Sequence, residues 1–225
     1  MISVSQTIKD KLFYNWWQLL QSFNVNQTAV EKSFTQIVAA YSNPNRYYHT
    51  LEHIHHVLEV IQTLKDKTQN LTSVQIAAWF HDIVYETQAT ENEEKSANYA
   101  VELLSFLSIP CNVVKNVKRL ILATKNHQAL TNDGDAQVLL DADLAILGSN
   151  PSEYRKYTQA IRNEYIWVPR LEYFLARREL LQNFLQRENI YFTQVMQQTK
   201  EENAIKNLRA EIEQIRLKVK NLKSF

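Results

Sequence analysis

The sequence contains few of the residues that build tight turns and cross-links. Its 225 residues include two glycines, four prolines and one cysteine, Cys111. A β-rich chain needs many turns, and glycine and proline are the usual turn residues, so their scarcity favours an all-α fold. A lone cysteine excludes an intramolecular disulfide and a cysteine-rich zinc cluster, and it indicates a reducing, cytoplasmic setting.

An excess of one charge and a long apolar run are also lacking. Lysine and arginine number 25 and aspartate and glutamate 24, which gives a formal net charge of +1. Such a balance offers no field to attract a nucleic acid polymer or an anionic lipid surface, although it does not exclude a local basic pocket. No apolar run reaches the roughly 20 residues that span a bilayer. Charged residues at 9–11 interrupt any signal-peptide core, so we expect neither secretion nor a membrane location.

The apolar residues recur at helical spacing through most of the chain. Thr72-Ser73-Val74-Gln75 has the pattern of a capping box, and Pro169 divides the segment 152–188 into two helices. The absence of a linker or an internal repeat predicts a single domain over residues 1–225, with a core at about 44–188. The predicted helices cover 7–23, a segment from a cap at Asn26 or Thr28 to 41, 48–65, 72–82, 92–107, 112–127, 136–147, 152–188 in two parts and about 190–222.

The C-terminal helix carries apolar residues at alternating steps of three and four. This is a heptad seam with charges around it. It predicts either a helix packed on the body of the protein or a contact in a homodimer, and two to three heptads are marginal for an isolated coiled coil. The seam consists of Ile205, Leu208, Ile212, Ile215, Val219 and Leu222.

Trp79-Phe80-His81-Asp82 is the stretch that carries chemistry. An apolar run that reads as a buried helix ends here in a histidine and an aspartate. Burying ionisable groups unpaired costs several kcal/mol, whereas a bound cation removes that cost. We therefore interpret His81 and Asp82 as candidate metal ligands.

Further candidate ligands lie on either side of this stretch. His49 and His53 are four residues apart and would share one face of a helix. Asp143 interrupts an otherwise apolar helix and is a candidate metal ligand. The alternative is a carboxylate paired with an arginine such as Arg162, and Asp141 could have either role. Two imidazoles and two carboxylates suit a divalent ion such as Mn, Fe, Ni, Zn, Co or Mg better than calcium.

These residues resemble the HD superfamily of metal-dependent phosphohydrolases, in which the order of ligands is H…HD…D. The likeness is closest to a bacterial family described as predicted HD-type phosphohydrolases, and it covers roughly residues 44–208. It implies an HD-type helical bundle. The matching motifs are Tyr48-His49-Thr50-Leu51-Glu52-His53, Phe80-His81-Asp82-Ile83-Val84-Tyr85, Asn92-Glu93, Ser96-Ala97, Leu140-Asp141-Ala142-Asp143-Leu144 and Arg162-Asn163-Glu164-Tyr165.

A more distant resemblance to cyclic-nucleotide phosphodiesterases separates the roles of the two upstream histidines. Those enzymes carry a similar Tyr-His-Asn-x-x-His-Ala-x-x-Val stretch, with Thr50 standing here at their asparagine. By position His53 would be the metal ligand and His49 the general acid. The same likeness makes Asp143 the last ligand, so that the implied metal set is His53, His81, Asp82 and Asp143.

Three further residues are candidates on their position alone. Glu86 follows Asp82 by four residues and is a candidate for orienting water, or it is a surface carboxylate. His127 is a candidate phosphate contact or second-metal ligand, or a histidine at a helix end, where its charge is favourable. Arg162 is a candidate substrate-binding residue, or the partner of Asp141 or Asp143.

The resemblance implies a cytoplasmic hydrolase that acts on a small phosphorylated molecule, for example a nucleotide. A metal ion would lower the pKa of bound water and offset charge on the phosphoryl oxygens. Two alternatives stay open. One is a regulatory module that holds a metal and a nucleotide without turnover, and the other is an ion that only staples the helices together.

Overall fold

The computed structural model describes residues 6–222, which form ten α-helices, two short 3-10 segments and no strand. The predicted all-α class is confirmed. None of these helices combines the length and the apolarity needed to cross a membrane. The helices are α1 (Gln6–Gln21), α2 (Gln27–Tyr41), α3 (Leu51–Thr63), α4 (Leu71–Phe80), α5 (Asn92–Phe106), α6 (Cys111–Thr124), α7 (Gly134–Asp143), α8 (Pro151–Glu164), α9 (Arg170–Leu185) and α10 (Gln194–Leu222).

The chain divides into two compact units, one ending at Ala142 and the other beginning at Asp143. The first unit holds α1–α6 and all of α7 except its last residue. The second holds the 3-10 segment Leu144–Gly148 and α8–α10. That the whole chain is a single domain stays a prediction.

Helix α4 is the centre of the first unit. Seven of its ten residues are buried, from Ser73 to Phe80, and it packs against α3, α5 and α6. The Trp79 ring lies 5.4 Å from the ring of Trp16 in α1 and 6.2 Å from that of Phe34 in α2. A helix that is apolar on all sides must be surrounded by others, so the predicted buried helix before His81 is confirmed.

A residue in the first turn of α7 binds the chain where α4 begins. The helix begins at Leu71, with Asn70 as its N-cap accepting from the Ser73 N–H, so the prediction of a capping box at Thr72 was wrong. Asp135 Oδ1 accepts the N–H groups of Gln69 and Asn70 at 2.7 and 3.0 Å. This contact, made across more than sixty residues, sets the helix start.

Gly134, at the first position of α7, lies against the same loop. A Cβ added to this glycine would be 2.5 Å from the carbonyl oxygen of Lys67, a distance that carbon and oxygen atoms do not tolerate. The absence of a side chain therefore lets the beginning of α7 approach the loop before α4.

Several predicted helix bounds differ from the structure: α4 ends at Phe80 rather than at residue 82, and α10 begins at Gln194 rather than at about residue 190. Helix α3 starts at Leu51 rather than at residue 48, because Thr50 is the extended N-cap residue and the His49 carbonyl accepts from Arg46. Helix α6 ends at Thr124, three residues before His127, whose φ of 47° is left-handed. The predicted helix 136–147 changes to 3-10 geometry after Asp143.

The second unit is built around the 3-10 segment Leu144–Gly148. Asn207 of α10 donates to the carbonyl oxygens of Leu147 and Ser149, both at 2.9 Å. A Cβ on Gly148 would lie 2.7 Å from the Lys200 carbonyl oxygen and 2.9 Å from Tyr191 Oη. Glycine is required here because α10 passes so close.

Local signals predicted the starts of α2, α8 and α9 correctly. Asn26 caps α2, Asn150 caps α8 with Pro151 at its first position, and Pro169 precedes α9. In α10 the predicted seam is buried at Leu208, Ile215 and Val219, whereas Leu222 is 40% exposed. Helix α10 packs against α9 and the 3-10 segment; a homodimer contact stays a prediction.

Candidate metal centre

His53, His81, Asp82 and Asp143 each bring one ligand atom to a common point, and these four atoms lie within 4.8 Å of one another. His53 is in the first turn of α3, and His81 is the C-cap residue of α4, followed directly by Asp82. Asp143 is the last residue of α7. Both imidazoles are buried, with His53 4% and His81 2% exposed, and both carboxylates are half-buried.

The ring nitrogens and the carboxylate of Asp82 are in close contact. His53 Nε2 lies 3.2 Å from His81 Nε2. Asp82 Oδ2 lies 3.0 Å from His81 Nε2 and 3.7 Å from His53 Nε2. Three potential ligand atoms thus surround a small volume.

The orientation of the His81 ring is set by the last turn of α4. Its Nδ1 lies 2.9 Å from the carbonyl oxygen of Ala78. A carbonyl only accepts, so Nδ1 carries the proton and the Nε2 of a neutral ring presents a lone pair to the cluster. A histidine that binds metal through one nitrogen commonly donates from the other in this way.

These distances fit ligands of one divalent ion. Atoms bound at about 2.1 Å lie about 3.0 Å apart in cis positions and about 4.2 Å apart in trans positions of an octahedron. The separations of 3.0, 3.2 and 3.7 Å are in that range. Two imidazole nitrogens and two carboxylate oxygens also form a donor set suited to Mn, Fe, Ni, Co or Zn. The residues present could therefore hold such an ion.

His49 lies beside the cluster but outside the set of four. It precedes α3, so the prediction that it shares a helix face with His53 was wrong. The bend before Thr50 nevertheless brings its ring centroid 5.7 Å from that of His53. His49 Nε2 is 3.8 Å from Asp82 Oδ2, and the side chain is 16% exposed. A partly exposed imidazole at this distance can face a molecule bound at the cluster.

The other candidates are not in the set of four. Glu86 is exposed on the turn after Asp82, where its backbone N–H and carbonyl pair with the side-chain amide of Asn92. Asp141 is completely buried within α7. His127 is half-buried in the loop after α6, and its N–H donates to the Thr124 carbonyl at 3.3 Å.

Arg162 lies in the second unit. Its guanidinium donates to the carbonyl oxygens of Tyr165 at 2.6 Å and Val168 at 3.0 Å, and it lies 4.6 Å from the centroid of the Tyr173 ring. It lines a cavity of about 410 Å³ formed with residues of α8, α9 and α10. The roles of Arg162, Glu86 and His127 in binding or catalysis stay predictions.

Sequence reasoning missed two residues next to the cluster, Arg46 and Tyr85. The Arg46 guanidinium donates to the backbone carbonyls of His49 and Asp82. The Tyr85 ring lies 4.2 Å from the His49 ring at an angle of 32°. The one local signal was position: Arg46 is the lone cation in the loop before His49, and Tyr85 is three residues after Asp82.

Comparisons with protein-family models, with curated proteins and with solved structures find no match for this chain.

Proposed function

We propose that the chain is a metal-dependent phosphohydrolase, which hydrolyses a phosphomonoester or a phosphodiester of a small phosphorylated molecule such as a nucleotide. The observation that carries the proposal is the convergence of His53, His81, Asp82 and Asp143 within 4.8 Å. The H…HD…D order of the same residues, by which the chain resembles the HD superfamily, adds support.

The donor set favours catalysis over simple metal storage. Four protein ligands leave two positions of a six-coordinate ion for water and a substrate oxygen. When bound, a divalent ion supplies Lewis-acid chemistry: it makes hydroxide available near neutral pH and offsets charge on phosphoryl oxygens.

The protein supplies a proton donor beside this site. His49 Nε2 is 3.8 Å from Asp82 Oδ2, and the ring is held between Tyr48, at 5.0 Å, and Tyr85, at 4.2 Å. We assign His49 the role of general acid, which protonates the leaving alkoxide. General acid catalysis contributes about 10²–10⁴-fold to rate, and a pure binding module would not need it.

The test is a panel of phosphomonoesters, phosphodiesters and nucleotides. It uses protein stripped with a chelator and reloaded with Mn²⁺, Co²⁺, Ni²⁺, Zn²⁺ or Mg²⁺. We expect turnover in at least one reloaded sample and none in the stripped protein. Asp82→Ala should bind no ion and show no turnover. His49→Ala should keep the ion and lose about 10²–10⁴-fold in kcat. Asp66→Ala, which changes an exposed aspartate of the first unit, is the matched control.

Turnover by Asp82→Ala equal to that of the native chain would defeat the proposal. Binding of an ion without turnover of any ester would favour a regulatory module that holds a metal and a nucleotide. If stripping mainly lowers the melting temperature, the ion is a structural staple. Loss of the ion from His49→Ala would make His49 a ligand rather than the general acid.

A further inference from the structure

Arg46 is a buried cation that contacts both chain segments leading into the cluster. It is 9% exposed. Its Nη1 donates to the His49 carbonyl at 3.2 Å and to the Asp82 carbonyl at 2.7 Å, and its Nη2 donates to the Ile83 carbonyl at 2.9 Å. One side chain thus joins the bend before α3 to the turn after α4.

Aromatic rings hold the guanidinium in this position. Its central carbon lies 4.8 Å from the centroid of the Tyr41 ring and 5.5 Å from that of Tyr85. Ring faces attract a guanidinium through the negative charge of their π systems. Tyr85 also packs on His49. The Tyr85 ring therefore contacts both Arg46 and His49, the residue whose backbone carbonyl Arg46 binds.

The number and direction of these hydrogen bonds require arginine. The planar guanidinium donates from two nitrogens at once, and here it reaches two consecutive carbonyls of one segment and a third carbonyl of another. A lysine ammonium is a point charge that cannot reproduce a rigid fork. The bonds from Arg46 end on backbone atoms, so they fix where the chain runs at His49 and Asp82.

We propose that Arg46 is a positioning residue of the metal centre: it holds the backbone of His49 and Asp82 so that their side chains face one another across the site. This inference rests on the metal-binding part of the proposed function. Positions within such a site matter to about 1 Å, and His49 and Asp82 both lie outside the helices, before α3 and after α4.

The experiment measures Co²⁺ binding to Arg46→Lys by calorimetry and by the visible spectrum of the bound ion. Groups that orient metal ligands contribute about 10–100-fold to affinity, so we expect Kd to rise by that factor and the spectrum to change. The matched control is Arg177→Lys. Arg177 is as buried as Arg46, at 7% exposed, and its guanidinium donates two hydrogen bonds to Glu211 in the second unit. Its substitution should lower the melting temperature and leave the Co²⁺ Kd within about twofold.

An Arg46→Lys protein with native Co²⁺ affinity and spectrum would overturn the inference, as would an equal loss in both variants. If Arg46→Lys does not fold, the native chain provides the test. By linkage, metal binding should then slow the exchange of the Arg46 guanidinium protons with solvent, and unchanged exchange would overturn the inference.

Failure of the proposed function has a different signature. It would appear as a native chain that binds Co²⁺ but hydrolyses no ester, and the affinity comparison would still decide the role of Arg46. A native chain that does not bind Co²⁺ would overturn both.

Discussion

Two largely buried polar clusters of this protein differ in what faces their carboxylates: the one around Glu211 in the second unit, and the set of His53, His81, Asp82 and Asp143. In the second unit, Glu211 of α10 receives two hydrogen bonds from Arg177 of α9, at 3.0 and 3.2 Å, and one from Tyr154 Oη of α8 at 2.5 Å. In the first unit, the Asp82 carboxylate faces the ring nitrogens of His53 and His81.

The electrostatics of the second cluster are those of a closed network. Burial alone would lower the pKa of Arg177, but the oxygens of Tyr157 and Glu211 hold it well above its ordinary value. Burial, and then the charge of Glu211, raise the pKa of Tyr154. Every charge here is matched by a protein group, which is what a cluster that joins three helices needs.

The difference lies in the atoms that face the carboxylates, and it separates a candidate metal site from a structural network. In the second cluster, the Arg177 guanidinium donates to both carboxylate oxygens of Glu211. In the first, nitrogen and carboxylate ligand atoms surround a common point at spacings that suit an ion. Three measurements test whether the two clusters differ in this way.

The largest expected effect on stability is in the second cluster. Arg177→Met should lower the free energy of unfolding by about 3–5 kcal/mol, because it leaves Glu211, whose side chain is 12% exposed, without its cation. The double variant Arg177→Met with Glu211→Leu should recover most of that loss. Urea unfolding of the three proteins measures it, and a single variant within about 1 kcal/mol of the native chain would show that the network is not a closed one.

In the first cluster, we expect the opposite response to loss of a charge. The carboxylates of Asp82 and Asp143 have atoms within 4.8 Å of each other, and like charges so close oppose folding when no ion is present. Asp82→Asn should therefore leave the ion-free protein as stable as the native chain, or make it more stable. The native chain alone should gain about 2.7 kcal/mol at an ion concentration of 100 times Kd.

Thermal melts with and without Zn²⁺ compare the two proteins. A metal-free Asp82→Asn protein that is several kcal/mol less stable than the native chain would mean that the first cluster is a structural network like the second.

The smallest effect is a pH dependence from Tyr154. A raised pKa means that the folded state holds the phenol proton, so its stabilisation is complete below pH about 10 and is lost as the pH rises further. Above pH 10, the native chain should lose about 1.4 kcal/mol per pH unit through this group. Tyr154→Phe should lack this loss, so the gap in unfolding free energy between the two should narrow.

Urea unfolding between pH 9 and about pH 11 measures this gap, with Tyr14→Phe, an exposed tyrosine of α1, as the control for removing a hydroxyl. A constant gap would contradict the prediction. Burial also raises the pKa of Tyr173, to about 12, but that tyrosine is present in all three proteins and cancels in the comparison.

Much of the fold could be predicted because its signals are local. Asn26, the pair Asn150-Pro151 and Pro169 mark helix starts through their own backbone and side-chain geometry. The buried character of α4 follows from its apolar sequence. His81 and Asp82 were named from residue type and position, whereas the choice of His53 and Asp143 as ligands came from the resemblance to metal-dependent phosphohydrolases and phosphodiesterases. The structure brings those four together.

The errors were at places where distant residues decide the local structure. Asp135 sets the start of α4, and it is 65 residues away from Asn70. Arg46 donates a hydrogen bond to the carbonyl of His49, and α3 begins after that residue. The spacing of apolar residues in the sequence contains no information about either contact. For the same reason Arg46, bonded to a carbonyl 36 residues away, could not be recognised as part of the site.

The shared anchor of α4 and α7 has a geometric consequence. The two helices begin side by side, where Asp135 and Gly134 meet the loop before Asn70. Each is ten residues long, a rise of about 15 Å. The ends of the two helices are therefore also close: His81, directly after α4, and Asp143, the last residue of α7, have ligand atoms within 4.8 Å of each other. Deleting one residue from either helix would move its ligand by about 1.5 Å along the helix axis and rotate it by about 100°. The position of each ligand therefore depends on the number of residues in its helix.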